Sequence, residues 1–306
     1  MPNFIARDLG DGKATGYFAE SWTEAAAKFM RKHEFDKVIL EGRWGDMGFL
    51  AEFAGHIKEI VVTNLDARAD GIGSLSALRA LNVNLKTKKP VELSRLQLLE
   101  RCSLHWHPAY AQELFALPRL DSVLIIGYSG TDFTGITESS SVRRLRLSSP
   151  KLFNFDGIGA LKALRHLTVQ QARQLTSLDG VDELASLESI CLEGAKLVTS
   201  TAALQGMRAL NHLALINVGA CAVEHVVHLN ELQFLAMTGI PITPQWHSLM
   251  RMKSLSTLTV LVEEKHIPSE DSVREMAERA GRTLIALHID GMKKRPLVTV
   301  KLGVVV

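Results

Sequence analysis

A six-residue pattern returns through most of the chain at a nearly constant interval. "LRALNV" begins at Leu78, "VRRLRL" at Val142, "LRHLTV" at Leu164, "LESICL" at Leu187, "LNHLAL" at Leu210, "LQFLAM" at Leu232 and "LSTLTV" at Leu255. Positions one, four and six are apolar in each. The same pattern starts at Phe35, Ile57, Leu99, Leu120 and Leu284. Successive starts lie 22, 21, 21, 21, 22, 22, 23, 23, 22, 23 and 29 residues apart, a regularity that chance does not produce.

The spacing within the pattern dictates its local structure. Side chains alternate along a strand, so positions four and six point to the same side. The segment between two strands adds its own apolar residues, such as Ile158, Leu161 and Leu164, then Val181, Leu184 and Leu187. A return of roughly 12 residues is too short for a long helix, so 3₁₀ turns or brief helices are expected there. One repeat cannot bury its apolar face alone, and stacking neighbours buries them together.

These residues resemble the leucine-rich-repeat family, whose core reads L-x-x-L-x-L. The resemblance spans about residues 35 to 290. It implies an α/β solenoid with a curved parallel sheet on the concave side and short helices or 3₁₀ turns on the convex side. The short repeats without cysteine caps look like the bacterial or cytoplasmic type. One departure is clear. Many members place Asn or Cys at position nine, whereas this chain has Leu65, Lys86, Ala172, Ala195, Val218 and Ile240.

Both ends read as caps, which a solenoid needs to cover its terminal core. Residues 1–34 predict a hairpin turning at Asp11-Gly12, then a helix opened by a capping box from Ser21 to Glu24. Residues 35–267 hold repeats one to eleven. Residues 268–306 predict a helix, a last repeat strand at Leu284 and a closing strand. One continuous domain is expected, although 306 residues alone would favour about two.

Positions three, five and seven of each strand point away from the core, toward a partner. The middle repeats bring Arg101, Ser103, His105, Trp106, His107, Tyr128, Arg144, Arg146 and His166 to this face. Trp, Tyr and Arg are the types enriched in binding hot spots. Ile216, Phe234, Ala236 and Leu261 form an apolar stripe in later repeats, and exposed apolar patches mark interaction sites. The face predicts protein binding through Arg101, Ser103, His105, Trp106, His107, Tyr128, Arg144, Arg146, His166 and Phe234.

Chemistry-bearing motifs are sparse. His105 and His107 are placed to point to one side of a strand, but two imidazoles fall short of the four ligands of a closed zinc site. Glu224, His225 and His228 sit on a return segment with the same shortage. "DGIGSL" at Asp70 and "DGIGAL" at Asp156 recur at one repeat phase and neither completes G-x-G-x-x-G. Cys102 and Cys221 fall at apolar positions. Cys191 falls on the outward face without a base in its own repeat. No metal, cofactor or catalytic residue is expected.

Three scattered cysteines favour a reducing compartment. The charged N-terminal segment predicts no signal peptide, and no apolar run reaches membrane-spanning length. A soluble, cytoplasmic protein is expected. With a net charge of only +2, a general pull toward nucleic acid is weak. The leading expectation is a non-enzymatic scaffold that binds a partner protein on its concave face. By resemblance, the specific role is a cognate inhibitor of the immunity type or an effector-type bacterial protein. The alternatives are nucleic-acid or anionic-ligand binding by the central basic residues, Arg165 included, and a metal-dependent enzyme built on His105 and His107. Oligomeric state is left open, with the unpaired end strands available for self-association.

Overall fold

A computed structural model describes residues 4–8, 14–19, 22–42, 44, 47–63, 71–83, 90–219, 225–239, 246–292 and 295–304. The chain falls into two compact units. One comprises Met1–Tyr128 with Gly135–Leu145, the other Ser129–Thr134 with Arg146–Val306.

In the first unit, β1 (Phe4–Asp8) and β2 (Ala14–Ala19) pair antiparallel as a hairpin. The proposed turn at Asp11-Gly12 lies outside the described residues. The ladder then runs parallel through β3 (Lys37–Glu41), β4 (Glu59–Val62), β5 (Ala80–Val83), β6 (Arg101–His105) and β7 (Ser122–Ile126). Each pairing joins the same position of successive repeats, as Leu81 with Cys102 and Cys102 with Val123. Helix α1 (Glu24–His33) is capped by Thr23, whose Oγ1 accepts the Ala26 N–H at 3.1 Å. This corrects the expected cap at Ser21, a residue outside the described set. Thr23 lies one position before the helix, where a side-chain oxygen reaches an orphan N–H. A short helix α2 (Tyr110–Glu113) follows β6.

Strand β8 (Arg144–Ser148) has its first two residues in the first unit and the rest in the second. The second unit stacks β9 (His166–Gln170), β10 (Ser189–Glu193), β11 (His212–Ile216), β12 (Phe234–Thr238) and β13 (Thr257–Leu261) in parallel. Short helix α3 (Trp246–Met250) precedes β13, and α4 (Glu270–Arg279) follows it with Ser269 as its cap.

The core is the one the pattern requires. Positions one, four and six are buried from Phe35 through Val260, with Leu164, Leu167 and Val169 at no more than 1% exposure. The returns are 3₁₀ segments such as Ile72–Ser74, Ile158–Ala160 and Val181–Glu183, each burying its first residue. The two DGIG fragments mark this turn, although Asp70 itself is outside the described residues. Position nine holds buried Ala172, Ala195 and Val218 in place of an asparagine ladder.

Position eight is what ends many of the strands. Gly42, Gly127, Gln171, Gly194, Asn217 and Gly239 all take positive φ there. A left-handed residue breaks the pleat, and Gly and Asn tolerate it best. Trp106, Ser149 and Val262 occupy the same position without positive φ, so those three repeats leave their strands differently.

The expected twelfth repeat at Leu284 is not a repeat strand. After α4 the chain forms a hairpin of β14 (Arg282–Met292) and β15 (Arg295–Val304), and β15 pairs antiparallel with β13. The order is therefore β13-β15-β14. Val298, Val300 and Leu302 continue the core, whereas Ile289 on β14 is 47% exposed. The strict alternation of "PLVTVKL" makes the better inner strand. Arg282 secures the closure. Its buried guanidinium donates to the carbonyls of Met252 at 2.7 Å, Lys253 at 2.9 Å and Leu255 at 2.5 Å.

Candidate functional site

On the first unit, position three of the successive strands carries Lys37, Glu59, Ala80, Arg101 and Ser122, with Arg144 in β8. Glu59 is shared: Lys37 Nζ lies 2.9 Å from Oε1 and Arg101 Nη2 lies 3.8 Å from Oε2. Between these charges Ala80 leaves a recess of about 230 Å³, walled by Glu59, Asn82, Arg101, Ser103 and Leu124. That is below the roughly 300–1,000 Å³ of small-molecule pockets. Asp121 is shared in the same way, by Arg143 at 3.3 Å and by Arg144. In both clusters one carboxylate serves two cations, leaving one positive charge over. The Arg101 and Arg144 side chains are 62% and 55% exposed. Exposed pairs of this kind hold by only about 0–1 kcal/mol, so the guanidiniums are free to exchange partners.

The aromatic part of the expected patch is arranged otherwise. Tyr128 is buried at 3% exposure, which removes it from the outward face. The Trp106 indole packs on it, centroids 4.7 Å apart, and also meets Tyr110 edge-on at 6.4 Å. Tyr110 is buried too, its hydroxyl accepting the Val91 N–H at 2.9 Å. Strand β6 stops at His105, so His107 does not share a strand face with it. His107 Nδ1 instead accepts the Ala109 N–H at 3.2 Å, holding the turn into α2. Pro108 cannot donate to a ladder, so the chain turns into α2 and buries Tyr110, while Tyr128 falls at position nine, a position also buried at Ala172, Ala195 and Val218. Ser103 and His105 remain half-buried and outward as expected.

Arg146, His166 and Phe234 belong to the second unit. Arg146 Nε and Nη2 donate to Gln170 Oε1 at 3.2 and 3.0 Å, and Gln170 Nε2 donates to Glu193 Oε2 at 2.8 Å. Cys191 sits half-buried beside this chain, and burial followed by the Glu193 charge raises its thiol above the ordinary value. His212 stacks flat on Phe234, centroids 4.2 Å apart with 3° between planes. Burial, then the nearby His166, lowers the His212 pKa. The expected apolar stripe is less exposed than its sequence implies. Ala236 is buried at 8%, and Ile216, Phe234 and Leu261 are half-buried, because Ala236 and its neighbour Ala214 sit low between taller side chains.

Position two holds a row of ion pairs that the alternation rule does not reveal. Asp36 pairs with Lys58 at 2.9 Å, Arg79 with Glu100 at 2.5 Å, and Arg165 with Glu188 at 2.6 Å, alongside Asp121 with Arg143. The carbonyls of Asp36, Lys58, Arg79, Glu100, Asp121, Arg165 and Glu188 each also accept two N–H groups from the next repeat, as Asp36 does from Lys58 and Glu59. Alternating charge at one fixed phase of the repeat is the signal that finds it.

Among the described residues, no group of three or more His, Cys, Asp or Glu is placed to hold a metal ion. His225 is half-buried and His228 exposed, while Glu224 lies outside the described residues. Cys102 is buried, its thiol pushed well up by burial, and Cys221 lies outside the described residues. Among the described residues, no helix is long and apolar enough to cross a membrane.

No protein-family model matches the chain, and no curated protein matches it. Among solved structures, an internalin (inlF) from Listeria monocytogenes is similar over 80% of this chain and 72% of that chain, at 15% identity and a TM-score of 0.54. The functional domain of InlJ from Listeria monocytogenes, which includes a cysteine ladder, is similar over 86% and 78% at 11% identity, but its TM-score of 0.33 carries no argument. At such identity the likeness speaks for the fold alone. Parallel strands at a period near 22 residues, buried positions one, four and six, 3₁₀ returns and the likeness to an internalin together give the protein the α/β leucine-rich-repeat solenoid fold.

Proposed function

We propose that the protein is a non-catalytic recognition scaffold that binds a partner protein on the outward sheet face of its repeats. The observation that carries this reading is the doubled use of Glu59 and Asp121, each shared by two cations. Arg101 and Arg144 lie two strands apart, roughly 10 Å at the usual strand spacing. An acidic partner surface can take both, with a side chain entering the recess over Ala80. Ser103, His105, Arg146, His166 and Phe234 are further candidates on the outward faces of their own units. Trp106 and His107 support the face from its edge. A phosphate backbone suits the first unit less well, since Glu59 and Asp121 are interleaved with its arginines. A cytoplasmic location and a role as a cognate inhibitor or effector-type bacterial protein belong to the same proposal, the free Cys102 and Cys191 fitting a reducing compartment.

The test is recovery of partners from the native cell by wild type and by Arg101→Glu/Arg144→Glu, with thermal unfolding confirming that the variant folds. Loss of one specific partner from the variant is expected. Equal recovery of every partner by both proteins overturns this assignment. Binding of generic RNA or DNA that falls steeply with salt would replace it with the nucleic-acid reading.

A further inference from the structure

We infer that β14 is a self-association edge, through which two copies of this chain pair antiparallel about a two-fold axis at Ile289. Strand β14 is outermost in the sheet order and runs for 11 residues. An edge strand presents unpaired N–H and C=O groups, and proteins usually blunt it with Pro, Lys, a bulge or shortness. Between Arg282 and Met292 there is neither Pro nor Lys. There is one irregularity, a register shift between Leu284 and Ala286 that leaves Ile285 unpaired with β15. It bounds a regular segment from Ala286 to Met292, whose midpoint is Ile289. His288, Ile289 and Asp290 are consecutive and all exposed, so nothing among the described residues covers them.

Charge complementarity selects the second copy as the occupant. Antiparallel pairing centred on Ile289 places His288 of each copy opposite Asp290 of the other. Directly opposed residues have Cβ atoms about 4.5–5.5 Å apart, within reach of an imidazole N–H donating to a carboxylate. The symmetry makes this pair twice. On the opposite face the two Ile289 side chains, each 47% exposed in the single chain, meet each other. Competing registers lose this match. Centring on His288 opposes the two imidazoles, and centring on Leu287 draws the bulged Ile285 into the ladder. A two-fold edge pairing is isologous and closes at two copies. This surface is separate from the residues assigned to partner recognition, so either assignment can fail alone.

Sedimentation velocity over a concentration series tests the pairing. Wild type is expected to show a concentration-dependent dimer, and Asp290→Lys is expected to weaken it at least tenfold. The exchange His288→Asp/Asp290→His restores the opposed pairs and is expected to restore the dimer. Ile289→Cys reads the register directly: the two thiols face each other, and mild oxidation is expected to give a covalent dimer that Leu287→Cys and wild type do not form. His288, Ile289 and Asp290 are exposed and Leu287 is half-buried, and unchanged thermal unfolding confirms that each variant folds. A wild type that stays monomeric at its highest soluble concentration overturns the inference. So does a dimer that survives Asp290→Lys and fails to cross-link through Ile289→Cys.

Discussion

The indole of Trp106 rests on the ring of Tyr128, centroids 4.7 Å apart and planes inclined by 58°. Tyr128 is buried while Trp106 is half-buried, so the tryptophan acts as a lid on the first unit's core. Trp106→Ala is therefore expected to act first on stability. A fully buried Trp→Ala change costs about 3–5 kcal/mol; this one, half in water, is expected to cost about 2 kcal/mol in urea unfolding. A loss below about 0.5 kcal/mol would show that the contact holds nothing.

Two glycines of the second unit separate backbone strain from steric exclusion. Gly180 and Gly206 have nearly equal φ, +95° and +99°. A Cβ at Gly180 would lie 2.6 Å from the Phe155 carbonyl oxygen, whereas a Cβ at Gly206 meets nothing within 4 Å. Gly206→Ala is expected to cost only the left-handed penalty of about 1–2 kcal/mol. Gly180→Ala must also displace backbone of the preceding repeat, so its thermal midpoint should fall distinctly further. Equal midpoints would refute this.

Thiol chemistry at Cys191 should follow its neighbours. Burial and then Glu193 raise its pKa, while Arg146 lowers it. In a Cys221→Ser background, alkylation at pH 7.5 is expected to be slower than that of a free cysteine, because less thiolate is present. Glu193→Gln should accelerate it and Arg146→Ala should slow it further. Cys102, buried, should react only on unfolding. The opposite order for the two variants would show that these charges do not govern the thiol.

His212 should titrate below an ordinary histidine, since burial and then His166 oppose its charge. NMR titration of the ring protons checks this. His166→Gln is expected to raise the midpoint part of the way, because burial, the larger cause, remains. With the folded pKa lowered, the neutral ring's contribution to stability is fully present above the unfolded value of about 6.5. It declines as pH falls through that value toward the folded pKa. His212→Gln should flatten that part of the stability profile.

Much of the fold was legible because a repeat states the same instruction many times. Apolar positions one, four and six, spaced for a strand that must stack, left few architectures, and burial follows them from Phe35 to Val260. Gly or Asn at position eight and alternating charge at position two were equally present in the sequence. Both are read only once the repeat phase is known, because each is a relation between residues about 22 apart.

Elsewhere local pattern and tertiary placement parted. Tyr128 has the composition of a hot spot but falls at position nine of its repeat, which is buried there as it is at Ala172, Ala195 and Val218, with Trp106 packed over it. Leu284, Leu287 and Ile289 match the repeat, yet β15 takes the place beside β13 because it offers the cleaner inner face. For the repeats from Phe35 to Val260 the periodicity alone settled which strand residues are core, because burial on a strand depends on spacing. Which carboxylate serves which arginine, and which strand is left at the edge, depend on distances across the sheet that no single segment encodes.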